Sequence, residues 1–212
     1  FMIDLKHAVQ EKGYKVAHIK TDSIKIPNAD KEIIDFVFEF GKKYGYTFEH
    51  EATYKDFCLV NDAVYIARYK DGKKSGQWTA TGAQFAHPYV FKTLFSKEEI
   101  KFEDLCETKS VTTEMYLDMN ENLSEEEHSY QFVGKAGLFA PVLPGRGGGL
   151  LLRKKDDKYY AVTGTKGYRW LEANMIKDLQ KEDDIDLDYH KDLVDKAIDK
   201  IEFFGSFEKF IK

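Results

Sequence analysis

The chain has 212 residues, of which 42% are hydrophobic, 33% charged and 15% aromatic; this balance suits one globular domain or two small ones and excludes a disordered or collagen-like chain. No run approaches the ~18 consecutive apolar residues of a membrane-spanning helix, so no membrane partner is expected. The formal charge of −5 argues weakly against a nucleic-acid binder when taken as a total.

Residues 3–13 set Ile3, Leu5, Ala8 and Val9 among charges ahead of Gly13, the pattern of a short amphipathic helix with a glycine C-cap. Two apolar runs, residues 14–19 and 24–26, flank Lys20-Thr21-Asp22-Ser23 and read as a hairpin with a polar tip, ended by Pro27-Asn28. Asn28 or Asp30 then caps a helix whose apolar face is Ile33, Ile34, Val37, Phe38 and Phe40, closing near Gly41 or Gly45. Strands are expected at 47–51, 54–60 and 62–69, the last running into the turn Lys70-Asp71-Gly72-Lys73. Residues 77–81 read as a strand and 87–94 as a helix broken near Pro88; 97–106 and part of 112–123 read as helix, and 125–128 as a solvated loop or helix end. Residues 139–149 contain two prolines and four glycines and read as loop. Residues 150–154 and 159–163 flank Asp156-Asp157-Lys158 as a second hairpin, and 170–179, 189–200 and 201–211 are helical by period. Short antiparallel strands interspersed with helices imply an α+β chain, with a soft boundary at 74–96.

The charge distribution is uneven. Residues 98–127 hold eleven acids and two lysines, and residues 178–208 hold eleven acids and four lysines. Between them, residues 145–170 hold Arg146, Arg153, Lys154, Lys155, Lys158, Lys166 and Arg169 against only Asp156 and Asp157. A basic island with acidic flanks suits a surface that tracks an anion; a strongly charged solvated surface is the plainer reading. Tyr159, Tyr160, Tyr168 and Trp170 lie beside those cations, giving either a sequence-tolerant nucleic-acid surface or core aromatics. Pro144-Gly145-Arg146-Gly147-Gly148-Gly149 lets backbone N–H groups approach a phosphate, or is simply a flexible loop; it is not a Walker loop. Cys58 and Cys106 match no zinc or disulfide spacing and read as reduced thiols of a cytoplasmic chain. None of the histidines shows metal-ligand spacing, and no serine or cysteine nucleophile pattern occurs.

Asp22 at the first hairpin tip has two readings. Paired strands hold a tip carboxylate well enough for a metal ligand, and Mg²⁺ takes one or two protein carboxylates and leaves its other positions to water and phosphates. An aspartate that caps its own turn by a side-chain hydrogen bond is the alternative.

The segment Val16-Ala17-His18-Ile19-Lys20-Thr21-Asp22-Ser23-Ile24-Lys25-Ile26 resembles the palm motif of family B DNA polymerases, Asp-Thr-Asp-Ser followed by an apolar strand. The elements after it follow in the same order. A helix over 32–44 leads into Phe48-Glu49-His50-Glu51 and Tyr54-Lys55-Asp56-Phe57-Cys58-Leu59-Val60, then Asn61-Asp62-Ala63-Val64-Tyr65, which is similar to the family's Lys-x-Tyr element. Phage-encoded members are the nearest in character, particularly through Trp78-Thr79-Ala80-Thr81-Gly82 and the segment Thr163-Gly164-Thr165-Lys166-Gly167-Tyr168-Arg169-Trp170. The resemblance covers about residues 1–75 at the level of motifs.

It implies the C-terminal part of a polymerase palm over 1–75, built of antiparallel hairpins with packed helices. A mixed, largely helical, thumb-like DNA-gripping region would follow over 76–212. The implied activity is template-directed nucleotidyl transfer, with Mg²⁺ as cofactor and primer–template DNA and dNTP as partners. Asp22 carries the catalytic metal-ligand role, and Lys20, Tyr65, Arg146, Arg153, Lys154, Lys155, Lys166 and Arg169 the DNA contacts. Lys20 stands where the family has its first aspartate, and Ala63 stands where it has the lysine of Lys-x-Tyr. The family's other key carboxylate, in Asp-x-x-Ser-Leu-Tyr-Pro-Ser, has no counterpart here, nor has the lysine-bearing helix that handles nucleotide phosphates. The chain, which begins at Phe1 without an initiator Met, therefore reads as needing an N-terminal remainder from the same gene or a separate subunit, and as inactive alone. If phage-encoded it would work in the host cytoplasm. The alternative is a non-catalytic nucleic-acid-binding accessory module, a degenerate polymerase remnant.

Overall fold

Asp30 opens the first long helix by accepting a hydrogen bond from the Ile33 N–H (3.0 Å), so one of the otherwise orphaned N-terminal donors is satisfied. The computed structural model describes residues 1–120 and 122–212. Glu121, which falls in the acidic stretch 98–127 and in the segment 112–123 expected to be partly helical, lies outside them. The chain divides into two units, Phe1–Phe85 with Lys200–Lys212, and Ala86–Asp199.

The first unit begins with α1 (Met2–Glu11), which ends before Gly13 at φ +87°. The hairpin β1 (His18–Ile19) and β2 (Ile24–Lys25) follows, then α2 (Lys31–Lys43). Leu5 and Val9 of α1 pack with Ile33 and Val37 of α2 in one buried cluster, the helical spacing expected of two amphipathic faces. Strands β3 (Tyr54–Asn61), β4 (Val64–Tyr69) and β5 (Trp78–Ala80) form an antiparallel sheet in that order. Residues 47–51 form no strand. The C-terminal residues, including the helical turn Phe207–Phe210, belong to this unit: Trp78 lies 5.3 Å from Phe210, and Arg68 sits over the Trp78 ring while its Nη2 pairs with Asp56 at 2.6 Å.

The second unit is built on five antiparallel strands. These are β6 (Glu107–Asp118), β7 (Tyr130–Val142), β8 (Leu150–Lys155), β9 (Lys158–Ala161) and β10 (Arg169–Glu172), in the order β10-β7-β6-β8-β9. The expectation of a largely helical region over 76–212 is corrected here. Residues 107–118 are strand rather than helix, 97–106 are helical only in a single turn at Phe102–Leu105, and 139–142 continue β7. The reason lies in the inward positions of β6. Glu107 and Lys109 occupy them and pair with each other at 2.5 Å, so the strand buries charge where the alternation would show apolar residues. Only Val111, Met115 and Leu117 mark the inward face, and β7 is interrupted by Gly134 at a register shift and by Gly137.

Met115, Leu117, Val133, Phe139, Leu151 and Trp170 form the core of this unit. Trp170 is fully buried and its indole N–H donates to the Thr165 carbonyl at 3.1 Å. Pro88 opens a helical turn, Pro88–Phe91, rather than breaking one, because its fixed φ suits the first helical position. Helix Ala173–Asp178 follows β10, and helix Leu187–Glu202 leads back into the first unit. No helix is long and apolar enough to cross a membrane among the described residues.

Candidate nucleic-acid interface

The β1–β2 hairpin is set by the pairs His18↔Lys25 and Ile19↔Ile24, and its tip is closed by the Lys20 N–H donating to the Ser23 carbonyl at 2.8 Å. Asp22 is exposed at that tip. Among the described residues no hydrogen bond reaches its carboxylate, so the turn-capping alternative has no bond behind it. His18 is buried and its Nε2 lies 2.9 Å from the Asp62 carbonyl, which ties the hairpin to the turn between β3 and β4.

Three residues beyond Asp62, Tyr65 is fixed from both sides of its backbone. Its N–H donates to Thr81 Oγ1 at 3.1 Å, and the Thr81 N–H donates to its carbonyl at 2.9 Å. Its ring stacks on Phe57, with centroids 5.2 Å apart. The Lys25 ammonium lies 5.1 Å from the centroid of that ring and the Lys20 ammonium 6.0 Å from it, within the range of cation–π attraction. Burial lowers the Lys25 pKa below the usual lysine value, and the Lys20 charge lowers it further. The fold therefore gathers Lys20 and Tyr65, from elements some forty residues apart, beside the Asp22 tip. It adds Lys25, which sequence reading missed because its proximity to Tyr65 depends on the His18–Asp62 tie and on hairpin register. Ala63, in the position of the absent lysine, sits in the turn with its N–H bonded to Asn61 Oδ1.

The carboxylate at the hairpin tip is that of Asp22, with the Lys20 and Lys25 ammonium groups nearby and Glu51 also acting on Lys25. No group of three His, Cys, Asp or Glu side chains suited to a metal ion occurs among the described residues. A Mg²⁺ ion held by Asp22 would take its remaining positions from water, phosphate oxygens or a further carboxylate.

The basic island belongs to the second unit, and its members differ in what they do. Arg169 donates from Nε to the Gly148 carbonyl (2.7 Å) and from Nη2 to the Asp118 carbonyl (3.4 Å), so its guanidinium stitches a loop to the sheet. Arg146 Nε lies 3.5 Å from Asp184, and Lys154 lies 3.3 Å from Asp157. Arg153 and Lys155 are exposed two residues apart on β8, and therefore on one face of it. Lys166 is exposed in the turn before β10. Of the neighbouring aromatics, Trp170 is core and Tyr168 packs on Tyr189 at 4.7 Å, while Tyr159 and Tyr160 are exposed.

Gly148 and Gly149 have a packing explanation: a Cβ on Gly148 would run into a Val142 methyl. A Cβ on Gly149 would lie 2.8 Å from Met119 Sδ and 2.9 Å from the Asp118 carbonyl oxygen. The Gly149 N–H donates to the Trp170 carbonyl (2.9 Å), and the Trp170 N–H donates to the Gly149 carbonyl (2.7 Å). The Gly149 N–H is spent on the fold and is not open to a phosphate.

A second polar cluster escaped sequence reading altogether. Glu107 accepts hydrogen bonds from His87 Nε2 (3.2 Å), Lys109 Nζ (2.5 Å) and Tyr189 OH (2.6 Å). Burial opposes its charge, but the three donors outweigh it and hold its pKa down at about 2. His190 beside it is fully buried; burial and then the His87 charge push its pKa down to about 4, against a smaller opposing pull from the Leu105 backbone. The cluster lies in the interior of the unit. Burial also raises both thiols, Cys106 to about 11, which removes them as nucleophiles at neutral pH. A hollow of about 310 Å³ in the first unit is lined by Phe57, Leu59, Ile201, Phe204 and Phe210 among others and by no charged side chain, so it offers nothing to a phosphate.

A scan against protein-family models and a search of curated proteins return no match to this chain.

Proposed function

We propose that this chain is the C-terminal portion of a template-directed DNA polymerase of the family B type, supplying Asp22 to a shared Mg²⁺ site and a primer–template surface. The observation that carries the reading is the meeting of the Asp22 hairpin with Tyr65, pinned by His18 and Asp62. An exposed carboxylate on a rigid hairpin, beside cations and an aromatic ring, offers in one place a metal ligand, phosphate contacts and a face for a sugar or base. When bound in the complete enzyme, Mg²⁺ would neutralise the triphosphate of the dNTP and acidify the primer 3′-hydroxyl.

In this reading Asp22 holds one position of that site from the hairpin tip. Tyr65, backed by Phe57, presents its hydroxyl and ring to the primer–template, and Lys20 turns from the metal toward phosphate. Arg153, Lys155 and Lys166, with Tyr159 and Tyr160, form a separate contact surface for the duplex backbone, flanked by the partly ion-paired Arg146 and Lys154. Arg169 acts in the same region by holding the 148–149 loop. The working compartment is the cytoplasm, that of the host if the gene is carried by a phage.

The second reading, a non-catalytic accessory module that grips nucleic acid, is favoured by Lys20, whose positive charge stands where a second carboxylate would serve a metal. Reconstitution separates the two. The chain is mixed with a polypeptide carrying the missing palm half, and primer extension is followed with and without Asp22→Ala. Extension that depends on Asp22 supports the polymerase. Binding of primer–template by the mixture without any extension supports the accessory module.

A further inference from the structure

Among the described residues some lysines pair with carboxylates, Lys92 with Asp104 at 2.8 Å and Lys177 with Glu103 at 2.7 Å, and others do not. Lys20 and Lys25 are of the second kind, with Glu51 and Asp22 acting on Lys25 only at longer range. What sets the two apart is that both ammonium groups converge on one ring, that of Tyr65. Two like charges brought to one ring repel each other, and on Lys25 the Lys20 charge acts more strongly than Glu51 or Asp22 does in the opposite sense. The backbone imposes the arrangement: Lys25 is held by register opposite His18, Lys20 by its hydrogen bond to Ser23, and the hairpin by the His18–Asp62 tie. An anion between the two ammonium groups relieves the repulsion, and a tetrahedral group with several acceptor oxygens can accept from both at once.

We propose that Lys20 and Lys25 together bind a single backbone phosphate of nucleic acid above the Tyr65 ring. Lys25 thereby joins the contact surface from the opposite strand of the hairpin. The inference rests on the nucleic-acid reading of this face and is independent of whether Asp22 serves catalysis.

A shared phosphate has a particular signature in salt. Each neutralised phosphate adds about 0.9 to the steepness of log affinity against log salt for duplex DNA. If one phosphate serves both lysines, the remaining lysine still neutralises it after either single substitution. The test uses the full 212-residue chain and a fluorescent primer–template duplex, titrated between about 50 and 200 mM salt, with Lys20→Gln, Lys25→Gln and the double variant. Circular dichroism confirms that each is folded, and glutamine keeps the side-chain stem of the half-buried Lys25.

The expected result is a slope nearly unchanged in each single variant and reduced by about 0.9 in the double one, with the affinity losses of the singles failing to add. A duplex carrying one methylphosphonate at successive positions should show a single position where wild type weakens and the double variant does not. Two single variants that each lose about 0.9 and a double that loses about 1.8 would mean separate phosphates and overturn the shared site. A double variant indistinguishable from wild type in slope and affinity would overturn any phosphate contact here. Loss of extension on substituting Asp22 with this result would leave the polymerase reading intact; retention of the shared-phosphate signature with Asp22-independent extension would remove only the catalytic role.

Discussion

Acidification should destabilise the second unit well above the range where carboxylates titrate, and His190 is the reason. Its ring is fully buried and packed against the rings of Tyr89, Tyr189 and His87 at 5.0, 5.2 and 5.8 Å. Folding therefore holds its pKa near 4 against an ordinary value of 6.5. The sign follows from linkage: a folded pKa below the unfolded one means that the unfolded chain takes up the proton first. The neutral ring's contribution is complete above about pH 6.5 and is lost as pH falls from there toward 4. At 1.36 kcal/mol per tenfold change in proton affinity, the loss is about 2 kcal/mol by pH 5 and about 3 kcal/mol by pH 4. Glu107 acts in a lower window. Its pKa of about 2 against 4.5 places its loss between pH 4.5 and 2, so the interval from pH 7 to 5 isolates the histidine. The assay is urea unfolding followed by Trp170 fluorescence in a Trp78→Phe background, in the wild-type chain and in His190→Phe. Overpacking by the phenylalanine shifts absolute stability by an amount that does not vary with pH. The wild type should lose about 2 kcal/mol more than the variant between pH 7 and 5. Equal losses in both would refute the assignment.

Other consequences are direct. Gly149→Ala should cost about 1–3 kcal/mol, because the Asp118 carbonyl that a Cβ would meet is backbone and cannot turn aside. Gly205→Ala, with open space at its Cβ, should be nearly neutral; paired thermal melts check both. Arg169→Ala should lower stability by about 1.5–3 kcal/mol, since its hydrogen bonds to the Gly148 and Asp118 carbonyls are lost. Arg153→Ala, on an exposed strand position, should leave urea stability within about 0.5 kcal/mol while lowering the salt slope of duplex binding by about 0.9.

Much of the local structure could be read from residues that act within a few positions of themselves. Asp30 marks the start of α2 because its cap bond spans three residues, and Gly13 follows α1 because it adopts a positive φ. The hairpin expected around Asp156-Asp157-Lys158 is present, with Asp156 and Asp157, both at positive φ, as its two-residue turn and Lys158 opening β9. What depends on distant partners could not be read. The inward Glu107 and Lys109 of β6 satisfy each other and Tyr189, some eighty residues away, so the strand lacks apolar alternation. Gly148 and Gly149 looked like a phosphate cradle because their true neighbours, Val142, Arg169 and Met119, come from other parts of the unit. In the candidate site the same division holds. Asp22 and Lys20 are singled out by a local motif, whereas the nearness of Lys25 to Tyr65 depends on hairpin register, and the core role of Trp170 needed the Thr165 carbonyl to accept from its indole.

The claim on which the functional account turns is that Asp22 serves the reaction and not the grip on DNA. In the mixture reconstituted with the missing palm half, single-turnover extension and primer–template Kd are measured side by side for wild type and Asp22→Asn, an isosteric change that removes only the charge. The account predicts a rate lowered by about 100-fold or more, equivalent to several kcal/mol of lost transition-state stabilisation, with Kd within about twofold because this exposed carboxylate makes no contact that holds the hairpin. An unchanged rate, or a rate that falls only in proportion to Kd, would contradict it.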